Sequence, residues 1–352
     1  MTLKKFSIKT LVCSLLTAYL FCWTPIPYLS EAQNKSVNGV EAKAECVMEM
    51  NSRRVLYESH GDIRLPMAST TKILTAATVL ESAENLKDQV IISGEAVGVE
   101  GSSVYLKKDD IYTVEELLYG LMLRSGNDCA VALALHCCGN ISKFAAKMNE
   151  TAQKAGALTS NFVNPHGLPH KGHYTTARDL SYIACYAMHN TKFREIVSTE
   201  YFAPRHWKNK NKMLWLYDGG IGIKTGYTKE AGRCLVSAAE RENMTLICTV
   251  LNCSTTYERS SKLLDDAFEK YHYEQLLDKD TVFTVKVGEK VIKCKSEADY
   301  FYPLMEEEKE LVEIVTEPLN SVQNGKFNKK IVGQLKIYLT KRLLFSGNLY
   351  KL

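Results

Sequence analysis

The chain has 352 residues, 45% apolar and 24% charged, with a formal charge of +4, which leaves room for one sizeable globular domain and a smaller one. Lysines and arginines are interspersed with acids throughout, so no polyanion-binding arm is present and nucleic acid is not expected as a partner. The 11 cysteines include an adjacent pair, Cys137-Cys138, and show no C-x-x-C spacing, which argues against a disulfide framework.

Lys4, Lys5 and Lys9 precede an apolar run from Leu11 to Trp23, and Ser30-Glu31-Ala32 offers small residues at the two positions a signal peptidase reads. Residues 1–32 are therefore read as an export signal. Pro25 and Pro27 interrupt the run, which is short for a spanning helix, so membrane contact is expected only if this segment stays attached. Phe21 before Cys22 argues against a lipoprotein signal.

A catalytic domain is expected over residues 33–274. Residues 46–50 and 55–58 flank Asn51-Ser52 and read as a hairpin. Pro66-Met67-Ala68-Ser69-Thr70-Thr71-Lys72 follows, at the head of an unbroken apolar run containing Ile73, Leu74, Ala76, Ala77, Val79 and Leu80. Residues three apart share a helix face, so Ser69 and Lys72 project side by side. A serine hydroxyl is a poor nucleophile until a neighbouring base takes its proton. A lysine can be that base when burial or a second cation leaves its amine neutral. Alone the motif is weak, since about one S-x-x-K is expected by chance in a chain of this length.

Thr113-Val114-Glu115-Glu116 is a capping box opening a helix over residues 114–123, and Ser125-Gly126-Asn127 follows it. Further helices are expected near residues 128–136, 142–155 and 177–188. His166, His170 and His173 have spacings that could suit a metal on a helix. Pro165, Gly167, Pro169 and Gly172 interleave them, so the stretch reads as a loop and no metal site is assigned. Residues 220–224, 233–240 and 245–252 read as strands, the last two joined at Arg241-Glu242-Asn243, and Lys224-Thr225-Gly226 ends the first. Residues 260–273 form a closing helix. Beyond it, residues 282–287 and 290–293 flank Gly288-Glu289, and Leu335, Ile337 and Leu339 alternate with polar residues. Residues 275–352 therefore read as a small β-rich domain, a spacer or interaction module.

The three short motifs occur in the order S-x-x-K, S-x-N, K-T-G, and the last is expected by chance only roughly 0.1 times. With Glu100-Gly101-Ser102-Ser103, Asn164-Pro165-His166-Gly167-Leu168 and Gly222-Ile223-Lys224-Thr225-Gly226-Tyr227-Thr228, they carry a family likeness. The chain resembles the low-molecular-mass penicillin-binding proteins that are serine-type D-Ala-D-Ala carboxypeptidases (peptidase S11), closely over residues 44–268 and loosely beyond. The resemblance implies an α+β chain. Its catalytic domain would be β-lactamase/transpeptidase-like, with a five-stranded antiparallel sheet covered by helices and a helical subdomain, and a small β-rich C-terminal domain would follow. Two N-terminal and three C-terminal strands read from the sequence agree with such a sheet.

By the same resemblance, Ser69 attacks the carbonyl between the last two D-alanines of a peptidoglycan stem peptide and Lys72 takes its proton, with Lys224 as the second cation. Ser125 relays a proton to the leaving amine and Asn127 holds the substrate amide or Lys72. Thr225 binds the terminal carboxylate. Gly226 belongs to the substrate-binding strand, and the N–H groups of Ser69 and Tyr227 form the oxyanion hole. β-Lactams are expected as covalent inhibitors, no cofactor is needed, and the enzyme is expected outside the cytoplasm, at the cell wall or the outer face of the cytoplasmic membrane. Relatives place a carboxylate-binding arginine where this chain has Thr256, with Arg259 the nearest candidate. An amphipathic anchoring helix, frequent beyond the C-terminal domain in the family, is expected to be missing here. A β-lactamase is the nearest alternative, but class A enzymes use a glutamate on a stretch that corresponds to residues 151–194, where this chain has none. A transpeptidase or endopeptidase would differ only in the acceptor. A non-catalytic wall-binding relative would be expected to have lost one of the motifs.

Overall fold

The computed structural model describes residues 42–287, 289–319 and 330–352. The export signal read at residues 1–32 and Gly288 of the Gly288-Glu289 turn lie outside them. The first described element is a hairpin, β1 (Ala44–Glu49) and β2 (Val55–Ser59). A 3-10 turn, Ala68–Thr71, runs into α1 (Lys72–Ser82). A ribbon of β3 (Gln89–Ile91) and β4 (Ile111–Thr113) precedes α2 (Val114–Leu123), α3 (Asn127–Cys138), α4 (Ile141–Ala155), α5 (Ala177–Met188) and α6 (Thr191–Ser198). A second ribbon, β5 (Tyr201–Phe202) with β6 (Trp207–Lys208), and the one-turn α7 (Met213–Leu216) lead to β7 (Gly220–Thr228), β8 (Gly232–Arg241), β9 (Met244–Leu251) and α8 (Thr256–Lys270).

The expected sheet forms, antiparallel throughout, in the order β2-β1-β9-β8-β7. Its inner strands are buried on both faces. Cys46, Met48, Val236, Ala238 and Ile247 pack with residues of the helical block, while Val47, Leu235, Ala239, Leu246 and Cys248 meet Leu263, Leu264 and Ala267 of α8. This double burial explains why β9 reads as a continuous apolar run. The nine cysteines from Cys46 onward are free thiols, seven of them buried as small apolar side chains. α1 is buried from Lys72 to Val79, so this helix is sheathed by its neighbours rather than amphipathic. The capping box at Thr113 and Glu116 is present, and Asn140, Thr176 and Asn190 cap α4, α5 and α6. Three bounds differ from the sequence reading. Ser69 sits on the 3-10 turn rather than in α1, β7 continues to Thr228, and α8 begins at Thr256.

Beyond α8, β10 (His272–Leu277) pairs with β13 (Tyr300–Leu304). A five-stranded sheet has the order β11 (Phe283–Val287), β12 (Lys290–Lys295), β16 (Arg342–Lys351), β15 (Ile331–Leu339), β14 (Val312–Pro318). Leu335, Ile337 and Leu339 are buried on β15, as their alternation requires. This region is tied to the hairpin turn by Arg54, whose guanidinium meets Glu308 at 2.5 and 2.9 Å and the Pro303 carbonyl at 2.7 Å. The same group lies 5.1 Å from the Tyr271 ring centroid and 5.3 Å from that of Tyr302.

Removing one partner of a buried ion pair costs about 3–5 kcal/mol because it strands the other charge. Arg54 and Glu308 are 12% and 14% exposed. Arg54→Ala is therefore expected to lose about 2–3 kcal/mol of unfolding free energy. Adding Glu308→Ala should cost little more. Denaturant unfolding of the two single variants and the double variant measures this, and additive losses would contradict the pairing.

Candidate active site

The turn that carries Ser69 is held from three sides. Ala68, just before it, has a left-handed φ of +52°, a conformation that only a fixed surrounding maintains in a residue with a Cβ. Thr70 Oγ1 donates to the Met67 carbonyl at 2.7 Å and Thr71 Oγ1 to the Ala68 carbonyl at 2.8 Å. From the loop after α4, Gly167 comes so close that a Cβ on it would lie 1.9 Å from the Ala68 oxygen. From β7, Gly226 approaches so that a Cβ would lie 3.1 Å from the Ser69 and Thr70 nitrogens. Both glycines are needed for backbone contact.

His173 supports the same turn. Its Nδ1 accepts from the Val163 N–H at 3.1 Å, so Nε2 carries the proton and donates to Thr71 Oγ1 at 2.8 Å. Burial pushes its pKa down to about 3, so the ring stays neutral. His166 contributes its carbonyl oxygen, which accepts from Lys72 Nζ at 2.7 Å, and its ring nitrogen Nδ1 accepts from the Leu168 N–H. His170 Nδ1 accepts from the Gly172 N–H. His166 and His173 thus shape the wall behind Ser69. The sequence alone offers the three histidines as possible metal ligands, and His166 and His173 as positions matching the family's pattern, with no role for them in supporting the turn.

Lys72 Nζ lies 2.9 Å from Ser69 Oγ and 2.6 Å from Asn127 Oδ1. Its side chain is fully buried, whereas Ser69 is partly open to solvent. Burial, and then the Lys224 ammonium, hold Lys72 well below the ordinary lysine range. Lys224 is itself buried, donates to the Thr225 carbonyl at 2.9 Å, and is pushed down to about 7 by burial and then by Lys210. Lys210, on the loop between β6 and α7, lies 3.5 Å from Ser102 Oγ.

Ser125 and Asn127 come from the corner between α2 and α3. Ser125 is buried with a left-handed φ of +64°. Asn127 is fixed by three contacts: its Nδ2 donates to the Glu100 carbonyl at 2.5 Å, its backbone N–H donates to the Ser102 carbonyl at 2.7 Å, and its Oδ1 accepts from Lys72 Nζ. The segment that follows those carbonyls is held in turn by Asp128. Its buried carboxylate accepts from Ser103 Oγ at 2.6 Å and from the N–H groups of Val104, Leu106 and Cys129 at 2.9–3.2 Å. Asp128 was not singled out from the sequence. The available sign was an acid in the first turn of a helix directly after Asn127.

Along β7, side chains alternate. Lys224 and Gly226 share a pleat with Val236 and Cys234 on the helical side, and Thr225 and Tyr227 share the other with Leu235 and Arg233. The structure brings Ser69, Lys72 and Asn127 into contact, with Gly226 packed against the nucleophile turn and Lys224 near enough to depress Lys72. One expectation is corrected. Arg259 is not beside Thr225, because its guanidinium makes a two-pronged pair with the buried Glu45 carboxylate at 2.6 and 2.7 Å and also meets Tyr57 Oη, joining α8 to β1. Thr256 is buried at the start of α8.

Comparison with known proteins places this arrangement. The model of the D-alanyl-D-alanine carboxypeptidase family, peptidase S11, matches residues 31–255. The chain is 35% identical over 262 residues to the D-alanyl-D-alanine carboxypeptidase DacF of Bacillus subtilis, covering 70% of this chain and 67% of that protein. It is 31% identical over 287 residues to DacC of Escherichia coli, covering 77% and 72%. Among solved structures, penicillin-binding protein 5 of Haemophilus influenzae superposes with a TM-score of 0.72 at 26% identity, over 91% of this chain and 98% of that one. An S96A mutant of the Streptomyces K15 DD-transpeptidase gives 0.61 at 35% identity, over 65% and 98%. With this family match and these identities, the chain belongs to the D-alanyl-D-alanine carboxypeptidases of peptidase S11.

Proposed function

We propose that this protein is an exported D-alanyl-D-alanine carboxypeptidase that removes the terminal D-alanine of peptidoglycan stem peptides through an acyl-enzyme on Ser69, and that β-lactams acylate the same residue. The observation that carries this reading is the set of three oxygens around Lys72 Nζ. A neutral amine has two N–H donors and one lone pair. Asn127 Oδ1 and the His166 carbonyl can only accept, so they take the two protons. The lone pair is left for the Ser69 hydroxyl, the one neighbour able to donate. This is the arrangement of a base poised for a nucleophile.

In the proposed reaction Ser69 Oγ bonds to the carbonyl carbon as its proton passes to Lys72 Nζ. The oxyanion sits between the N–H groups of Ser69 and Tyr227, and the Gly226 contact keeps that edge of β7 beside the turn. Breaking the C–N bond frees D-alanine, whose nitrogen takes the proton from Lys72 through Ser125, leaving Lys72 neutral again. Asn127 holds Lys72 and the substrate amide, Thr225 receives the terminal carboxylate, and Lys224 supplies the neighbouring charge. Water then attacks the ester, gives its proton to Lys72, and releases Ser69. No cofactor takes part. Residues 1–32 would serve export, residues 33–274 catalysis, and residues 275–352 would be an accessory domain, with action at the wall or the outer face of the cytoplasmic membrane. A second reading has one specific support, the likeness to the Streptomyces K15 DD-transpeptidase. The same acyl-enzyme attacked by an amine instead of water would perform transfer.

Ser69→Ala should abolish both D-alanine release from a pentapeptide and labelling by a fluorescent penicillin, and labelling that persists at another serine would overturn the assignment. Lys72→Arg keeps a cation but cannot give a neutral base, and should slow acylation by about 10²–10⁴-fold. In the unaltered enzyme the acylation rate should rise with pH as Lys72 loses its proton, along a limb lying below the ordinary lysine value of 10.5. A pH profile of penicillin acylation tests this, and a limb at or above 10.5 would contradict it.

Hydrolysis of the penicillin adduct should be slow. The amine expelled from a β-lactam stays tethered and obstructs water, and residues 151–194 contain no glutamate to serve as a separate deacylating base. Intact-mass measurements should show one adduct on Ser69 lasting minutes or longer. Many turnovers per second would indicate a β-lactamase.

A further inference from the structure

A peptidase that acts only at a chain terminus must recognise a carboxylate, and Thr225 alone offers a hydroxyl. The two positions where an arginine was expected do not provide one: Thr256 is buried and uncharged, and Arg259 is committed to Glu45. Lys224 is buried with its ammonium turned to the Thr225 carbonyl.

A different arginine lies on the right face. In the antiparallel pair of β7 and β8, Tyr227 stands opposite Arg233 and Thr225 opposite Leu235. Directly opposed side chains share a face, so Thr225, Tyr227, Leu235 and Arg233 project together. Thr225 and Arg233 are diagonal neighbours, a separation of about 7–8 Å that long side chains bridge. Arg233 is exposed, and its guanidinium carbon lies 6.0 Å from the centroid of the Tyr227 ring, itself 65% exposed, beside the turn that joins the two strands. Its charge also reaches Tyr257 on α8, where it opposes the upward push of burial on the phenol. Among the described residues no carboxylate is paired with it.

We propose that Arg233 is the substrate-binding cation of this enzyme, its fork gripping the terminal carboxylate that Thr225 receives. The inference rests on the reading of Ser69 and Thr225 given above. A planar guanidinium meets both oxygens of a carboxylate at once, and Tyr227 below it limits the orientations that must be frozen on binding. Recognition of the chain end is thereby placed on β8 rather than on α8.

The test uses the full chain and two pentapeptides that differ only in a C-terminal carboxylate or carboxamide, with D-alanine and D-alaninamide release measured separately. The unaltered enzyme should prefer the acid. Arg233→Ala should lower kcat/KM for the acid on the order of 10- to 100-fold and leave the amide nearly unchanged, while Arg233→Lys should fall between. Stoichiometric penicillin labelling and an unchanged melting temperature would show that the variants are folded. Equal loss on both peptides, or full retention of the preference in Arg233→Ala, would overturn the role of Arg233 while leaving the Ser69 reading intact. If the unaltered enzyme cleaves acid and amide equally well, the Thr225 subsite itself is wrong.

Discussion

Two lysine side chains buried side by side, with no carboxylate within ion-pair reach of either among the described residues, are the constraint on which the structure turns. Burying an unpaired ammonium costs several kcal/mol, and a protein relieves that cost by surrendering a proton or by surrounding the nitrogen with oxygens. Here both are used. Lys72 is ringed by one hydroxyl and two carbonyl-type oxygens, and Lys224 rests on one backbone carbonyl. An aspartate in place of Asn127 would neutralise Lys72 by pairing, but it would also hold the proton on the amine, which the base role proposed for Lys72 could not survive.

Those oxygens have to be kept in place by parts of the chain that never touch the reacting atoms. Asp128 fastens the 103–106 segment, and the carbonyls of Glu100 and Ser102 beside that segment hold Asn127. The loop bearing His166 is tied to α1 through Thr75, which donates to the Pro165 carbonyl at 2.7 Å, and to the nucleophile turn through His173 and Thr71. The site is therefore a junction of three loops braced by a buried carboxylate and a neutral imidazole. The sheet contributes chiefly by bringing Gly226 against the Ser69 turn.

Much of this was legible in the sequence where a feature is local. The capping box at Thr113, the hairpin around Asn51-Ser52 and the three short motifs S-x-x-K, S-x-N and K-T-G are each written in a few adjacent residues. What was missed is non-local or carried by backbone. The His166 carbonyl has no residue-type signature, and Arg233 gains meaning only from the cross-strand register. β13 holds Pro303, which argues against a strand until its single partner, β10, is known. The ribbons of β3 with β4 and β5 with β6 have strands of only three and two residues, too short for a period to show. α8 was begun too late because Thr255 makes no side-chain cap.

The sheet's strand order also fixes when the enzyme can come into being. β1 pairs along its length with β9, Ala44 opposite Leu251, so the first described strand waits for one made some two hundred residues later. Loop closure over such a span is slow and is rewarded only at the end. The Ser69 turn likewise lacks its Gly226 wall until β7 is in place. A chain emerging from its N-terminus therefore passes through most of its length with the Ser69 turn unsupported and Lys72 without its neighbouring cation. The proposed site is complete only after residues 220–251 have closed the sheet.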